Sequence, residues 1–119
     1  MSTKFNLTKD VAGYNGFGLP FSEDCYETYL ATTTEQHFTV PSNYQWWIAI
    51  FSYTPGANIW VANNHTAVVA TSSFVATKSE LNPAARLVKS GDVLSFITSD
   101  ATNPAVSVIL YVAPPWGGI

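Results

Sequence analysis

The stretch Tyr44-Gln45-Trp46-Trp47-Ile48-Ala49-Ile50-Phe51-Ser52-Tyr53 limits what this chain can become more than any other. Turn signals bound it on both sides, Pro41-Ser42-Asn43 before and Thr54-Pro55-Gly56 after. Its aromatic and β-branched residues suit a pleated strand better than a helix. With period two, Gln45, Trp47, Ala49, Phe51 and Tyr53 share one side, while Trp46, Ile48, Ile50 and Ser52 share the other. Neither side is polar enough to face water along its whole length, so the strand is expected in a sheet interior with cover on both faces. One face takes the core; the other meets either more of the same chain or a partner.

The remaining segments fit around that strand. Tyr26–Ala31, Gln36–Val40, Asn58–Ala62, Ala85–Lys89, Val93–Thr98 and Val106–Val112 all read as strands. The last is apolar on both faces and therefore interior. Phe38 and Val40 are expected to point inward. Thr54-Pro55-Gly56-Ala57 suits a type II turn, with proline setting φ and glycine supplying a positive φ. Such a turn splays a tight hairpin, which predicts a longer loop or a corner between sheets. Thr66–Thr77 reads as two short strands or one irregular edge, and Ser79–Pro83 as a loop because Pro83 disfavours helix at Asn82. Ser90-Gly91-Asp92 is a turn. No stretch carries an apolar 3.6-residue period over three turns. The fold class is all-β: an antiparallel β-sandwich, jelly-roll-like, with irregular arms at both ends.

A chain of 119 residues suits one domain. The expected division is an N-terminal arm over 1–24, a sandwich over 25–113 and a C-terminal tail over 114–119. The arm mixes Gly13, Gly16, Gly18 and Pro20 with Tyr14, Phe17, Leu19 and Phe21. Glycine and proline prevent regular structure there, yet the large apolar groups avoid free water. The arm therefore folds back over its own core or lies on a neighbour. The tail contains Pro114, Pro115 and Trp116, and prolines cannot continue a ladder.

Composition narrows the function. Hydrophobic residues make up 47% of the chain and charged ones only 11%, against about 25% in ordinary soluble domains. That shortage suggests a surface covered in an assembly, with abundant Ser, Thr and Asn as a rival explanation. Net charge is −3 and no basic cluster exists to displace counterions from phosphates, so no nucleic-acid partner is expected. No run approaches the ~18 apolar residues of a membrane helix, and no membrane role is expected. Met1-Ser2-Thr3-Lys4-Phe5 lacks a signal-peptide core, and a single cysteine, Cys25, fits synthesis in a reducing cytoplasm.

Chemistry is thinly represented. His37 and His65 have no neighbouring histidine or carboxylate at metal-ligand spacing, so no metal or other cofactor is expected. Cys25 reads as a small packed hydrophobe rather than a nucleophile. Asp92 and Asp100 read as loop caps, and Glu23, Asp24 and Glu27 as exposed carboxylates. No catalytic residue is assigned and no enzyme is expected. The tryptophans are more informative. Trp47, Trp60 and Phe51 could fill one core, whereas Trp46 and Trp116 are candidates for a contact, as are Tyr14, Phe17, Leu19 and Phe21. Trp46 or Trp60 beside Asn63 and Asn64 could instead stack on sugar rings, the pattern of a carbohydrate-binding module on a virion or cell surface.

Ser79-Glu80-Leu81-Asn82-Pro83 and Arg86–Asp100, taken with Phe38-Thr39-Val40-Pro41 and Ile50-Phe51-Ser52-Tyr53, resemble the small decoration (cement or staple) proteins on the heads of tailed bacteriophages. The likeness spans roughly residues 26–112. It implies a β-sandwich bound to the outside of the major capsid protein shell, as a homo-oligomer (dimer or trimer), stabilising the head against packaged DNA. It carries over no catalytic residues. The expected location is the capsid exterior of a virion, after synthesis in the host cytoplasm.

Overall fold

The structure is a computed structural model that describes residues 3–5, 21–69 and 78–113. The described residues are all-β and contain no helix. The strands are β1 (Asp24–Tyr29), β2 (Gln36–Thr39), β3 (Trp46–Tyr53), β4 (Ile59–Asn63), β5 (Glu80–Leu81), β6 (Ala85–Lys89), β7 (Val93–Thr98) and β8 (Ala105–Val112). They form two four-stranded antiparallel sheets: sheet I in the order β1-β8-β3-β6 and sheet II in the order β2-β7-β4-β5. The pairs β1/β8, β2/β7, β3/β6 and β4/β5 nest inside one another, as if one long hairpin had been rolled up. Every connection but β4–β5 crosses between the sheets.

The alternation of β3 and β8 builds the core. Trp47, Ala49 and Phe51 on β3, with Val106, Val108, Leu110 and Val112 on β8, face Ile59 and Val61 of β4 and Leu94 and Phe96 of β7. Aromatic rings meet between the sheets: Tyr26 stacks on Phe38 at 4.7 Å and lies 6.4 Å from Phe96, which Phe51 also meets at 6.4 Å. Trp47 is fully buried because its indole N–H has partners, donating to the carbonyls of Pro41 (3.1 Å) and Tyr44 (3.2 Å). Buried Thr98 is satisfied likewise, donating to the Asn58 carbonyl and accepting from the Asp100 amide.

Both glycine turns are corners between the sheets. Gly56 has φ +81° and the Ala57 amide bonds the Thr54 carbonyl at 3.0 Å, taking β3 of sheet I into β4 of sheet II. Gly91 has the same φ and carries β6 across to β7. Asp92 and Asp100 act as loop caps: Asp92 accepts from the Lys89 amide and from Asn63 and Asn64, and Asp100 accepts from the Asn58 amide.

Several expectations need correction. Trp60 is not core; it stands on the outer side of sheet II between Leu81 and Ile97, because its even position on β4 opposes that of Ile59 and Val61. Cys25 is exposed rather than packed, since it shares the outer face of β1 with Glu27 and Tyr29. The loop expected at Ser79–Pro83 contains the two-residue strand β5, cut short where Asn82 adopts φ +46° before Pro83. Thr66–Val69 form no strand, and the rest of that expected edge lies outside the described residues. Strand β1 starts at Asp24, two residues before the strand start read at Tyr26, and Lys4 makes an isolated bridge to Val112.

Candidate docking face and groove

The outer face of sheet I divides into two regions, and the registers fix both. Across β6, β3 and β8, Leu87 lies opposite Ile48 and Ile48 opposite Tyr111; in the next row, Ala85, Ile50 and Ile109 align, with Cys25 beyond on β1. Trp46 closes the row above, paired with Lys89, whose ammonium sits 6.0 Å from the indole centroid. The result is an apolar stripe on the side away from the core. Leu87 is 56% exposed, and Trp46, Ile48, Ile50 and Ile109 are half-buried. The Trp46 indole N–H is shielded from solvent without a hydrogen-bond partner among the described residues, unlike that of Trp47.

The described chain ends meet at this end of sheet I. The Val112 amide bonds the Thr3 carbonyl and the Phe5 amide bonds the Val112 carbonyl, while the Phe5 ring packs edge-on to Tyr111 at 5.8 Å. Ser22 donates to the Leu110 carbonyl, and the Ala113 amide bonds the Trp46 carbonyl. Phe5, Phe21 and Ala113, the residues flanking segments 6–20 and 114–119, therefore sit beside the apolar stripe. Phe21 is 98% exposed.

At the opposite end the same face becomes small and polar. Glu27, Ser107 and Ser52 form one row across β1, β8 and β3, and Tyr29 lies opposite Ala105 in the next. Thr54 follows β3 alongside Ala105, accepting a hydrogen bond from its amide. Small residues on the central strand leave a groove of about 430 Å³. Tyr29 stands at its side, 75% exposed.

The outer face of sheet II carries a polar clamp. The Glu35 carboxylate receives the Ser95 hydroxyl and, at 3.1 Å, the Ala67 amide, and it pairs with His37 Nε2 at 3.0 Å. The Ala67 amide also donates to Ser95 Oγ at 3.1 Å. The Ser95 hydroxyl chiefly, with the Ala67 amide and His37, holds the Glu35 carboxyl below its ordinary value against the opposing effect of burial. Burial is the largest influence on Asp92 and pushes upward, yet hydrogen bonds from Asn64, the Lys89 amide and Asn63 leave its carboxyl lowered. At the open edge between β5 and β6, Glu80 and Arg86 pair across the two sheets. Such an exposed pair contributes about 0–1 kcal/mol.

These positions decide which sequence-derived sites come together. Trp46 and Trp60 lie on different sheets, with the core between them. Asn63 and Asn64 are committed to Asp92. Cys25 lies on sheet I and His37 on sheet II, so the two do not meet as nucleophile and base. Asp24 and Glu27 point to opposite faces of β1. His37 and His65 share one hollow of about 300 Å³, but no three His, Cys, Asp or Glu side chains among the described residues are placed to hold a metal. Tyr14, Phe17, Leu19 and Trp116 lie outside the described residues. Sequence marks Glu27 only as an exposed carboxylate and gives no signal for a groove with Tyr29, Ser52 and Ser107, because only the registers of β1 and β3 on β8 bring them together.

Comparison with protein-family models, with curated proteins and with solved structures finds no match to this chain.

Proposed function

We propose that this protein is a structural decoration module that binds the outer surface of a tailed-phage major capsid protein and stabilises the head. The observation that carries this reading is the apolar stripe of Trp46, Ile48, Ile50, Leu87 and Ile109 on the outer face of sheet I. Monomeric proteins keep such contiguous apolar surface small, and a larger patch rimmed by polar groups marks an interaction site. The chain ends support the choice of a protein shell as occupant. The described residues Phe5 and Ala113, from which two apolar-rich sequences run on, are hydrogen-bonded to β8 and β3 beside the stripe. Covering a Leu or Ile side chain contributes about 1.5–3 kcal/mol, and many symmetric copies on one shell make modest contacts sufficient.

The wiring of the sandwich also supports this reading. Its two four-stranded antiparallel sheets make the β-sandwich that the family resemblance implies, and a jelly-roll reading of their nested pairing belongs to this proposal. The test is co-sedimentation of the purified chain with expanded, undecorated heads from a panel of tailed phages. Saturable binding that raises the temperature at which the heads release their DNA supports the proposal. Failure to pellet with any head overturns it.

A further inference from the structure

We infer that the groove at the Tyr29 end of sheet I is a binding site for a neutral sugar, a hexopyranoside unit. Three observations point to this ligand. First, Glu27, Ser107 and Ser52 lie side by side on neighbouring strands, with Cβ atoms about 4.5–5.5 Å apart, and none of their side chains has a hydrogen-bond partner among the described residues. Together they offer a carboxylate acceptor and two hydroxyls, each able to donate and accept. Second, the Tyr29 ring is left in water at the edge of that row, although it is the largest apolar surface on β1 that faces outward. Third, Ala105 and Ser107 keep the floor low, so the groove of about 430 Å³ falls within the range of small-molecule sites.

A pyranose matches each part. Its C–H face packs on an aromatic ring, and its adjacent hydroxyls donate to a carboxylate in charge-assisted bonds. The remaining hydroxyls reach Ser52 and Ser107 across the floor. Other ligand classes fit less well. No cation lines the groove, and Glu27 repels phosphate or sulfate. One carboxylate falls short of the six to eight oxygens a calcium ion takes. An extended peptide would add to a strand edge, whereas this groove lies across the face of the sheet.

The site is independent of the docking stripe, being at the other end of sheet I, and its test uses the free protein. Saturation-transfer NMR is run on the wild-type chain with the methyl glycosides of glucose, mannose, galactose and N-acetylglucosamine, and with choline as a cationic control. Transfer to the ring protons of at least one sugar is expected. Tyr29→Ala should weaken it about tenfold, and Ser107→Tyr, which fills the groove but keeps Tyr29 and Glu27, should abolish it. Both substitutions are on the outer face, and an unchanged melting temperature shows that the fold is kept. No transfer to any sugar, transfer confined to choline, transfer undiminished in Tyr29→Ala, or transfer that survives in Ser107→Tyr overturns the inference.

Discussion

Trp46 and Trp47 are chain neighbours on β3 with opposite fates. Trp47 is fully buried, its indole N–H held by two carbonyls, and lies between Val88 of β6 and Val112 of β8. Trp46 faces away from the core, beneath Lys89, with its indole N–H unpartnered among the described residues. A strand that spends one tryptophan on its own core and presents another outside it is built to be covered twice. The first cover is sheet II. The second, in the function proposed above, is a capsid.

The two indoles should therefore differ in their effect on stability. Trp47→Ala removes a fully packed ring and should cost about 3–5 kcal/mol in urea denaturation. Trp46→Ala should cost about half as much or less, roughly 1–2 kcal/mol, since its ring is only half-buried and no hydrogen bond among the described residues is lost. Equal losses would mean that the stripe is part of the folding core.

Glu35 should make the fold acid-sensitive. Its folded carboxyl titrates below the ordinary value of 4.5, so the unfolded chain binds more protons there than the folded one. The stability it contributes is present above that value and is lost as pH falls through the lower folded value. Melting temperatures measured from pH 7 down to pH 3 should fall less steeply in Glu35→Gln than in the wild type. Parallel curves would remove the clamp from the stability account.

Gly56 and Gly91 should each resist replacement for a backbone reason alone. Both hold φ +81°, and an added Cβ would meet nothing within 4 Å at either. Gly56→Ala and Gly91→Ala should each cost about 1 kcal/mol, purely from the left-handed conformation. A much larger loss in denaturant titration would point to a steric clash.

Leu87 should separate binding from folding. It is more than half exposed on the edge strand β6, so Leu87→Asp should change stability by about 1 kcal/mol at most. The same change places a charge in the apolar stripe. Co-sedimentation with heads should fall at least tenfold, because an unpaired carboxylate would be buried at the contact. Retained binding would move the docking surface elsewhere.

Much of this architecture is legible in the chain because period-two alternation carries it directly. β6 and β7 have the boundaries read from sequence, and Trp47, Ala49 and Phe51 share the inner face. The Thr54–Ala57 and Ser90–Asp92 turns are marked by glycines that the positive φ requires. Pairing across the sheet is what local pattern cannot supply. Nothing near Glu27 signals Ser107, and nothing near Ser52 signals either. Trp60 illustrates the same limit: its strand was legible, but its face depends on which neighbours β4 acquires. The β5 ladder of two residues was hidden by Asn82-Pro83, whose turn chemistry reads as loop.

The most direct measurement is a cryo-electron microscopy reconstruction of heads carrying the bound protein. The expected density sets the Trp46–Leu87 end of the outer face of sheet I against the shell, with Tyr29 and Glu27 at the far end of that face. Density in which sheet II or the Tyr29 end meets the shell, leaving the apolar stripe in solvent, would contradict the proposed docking.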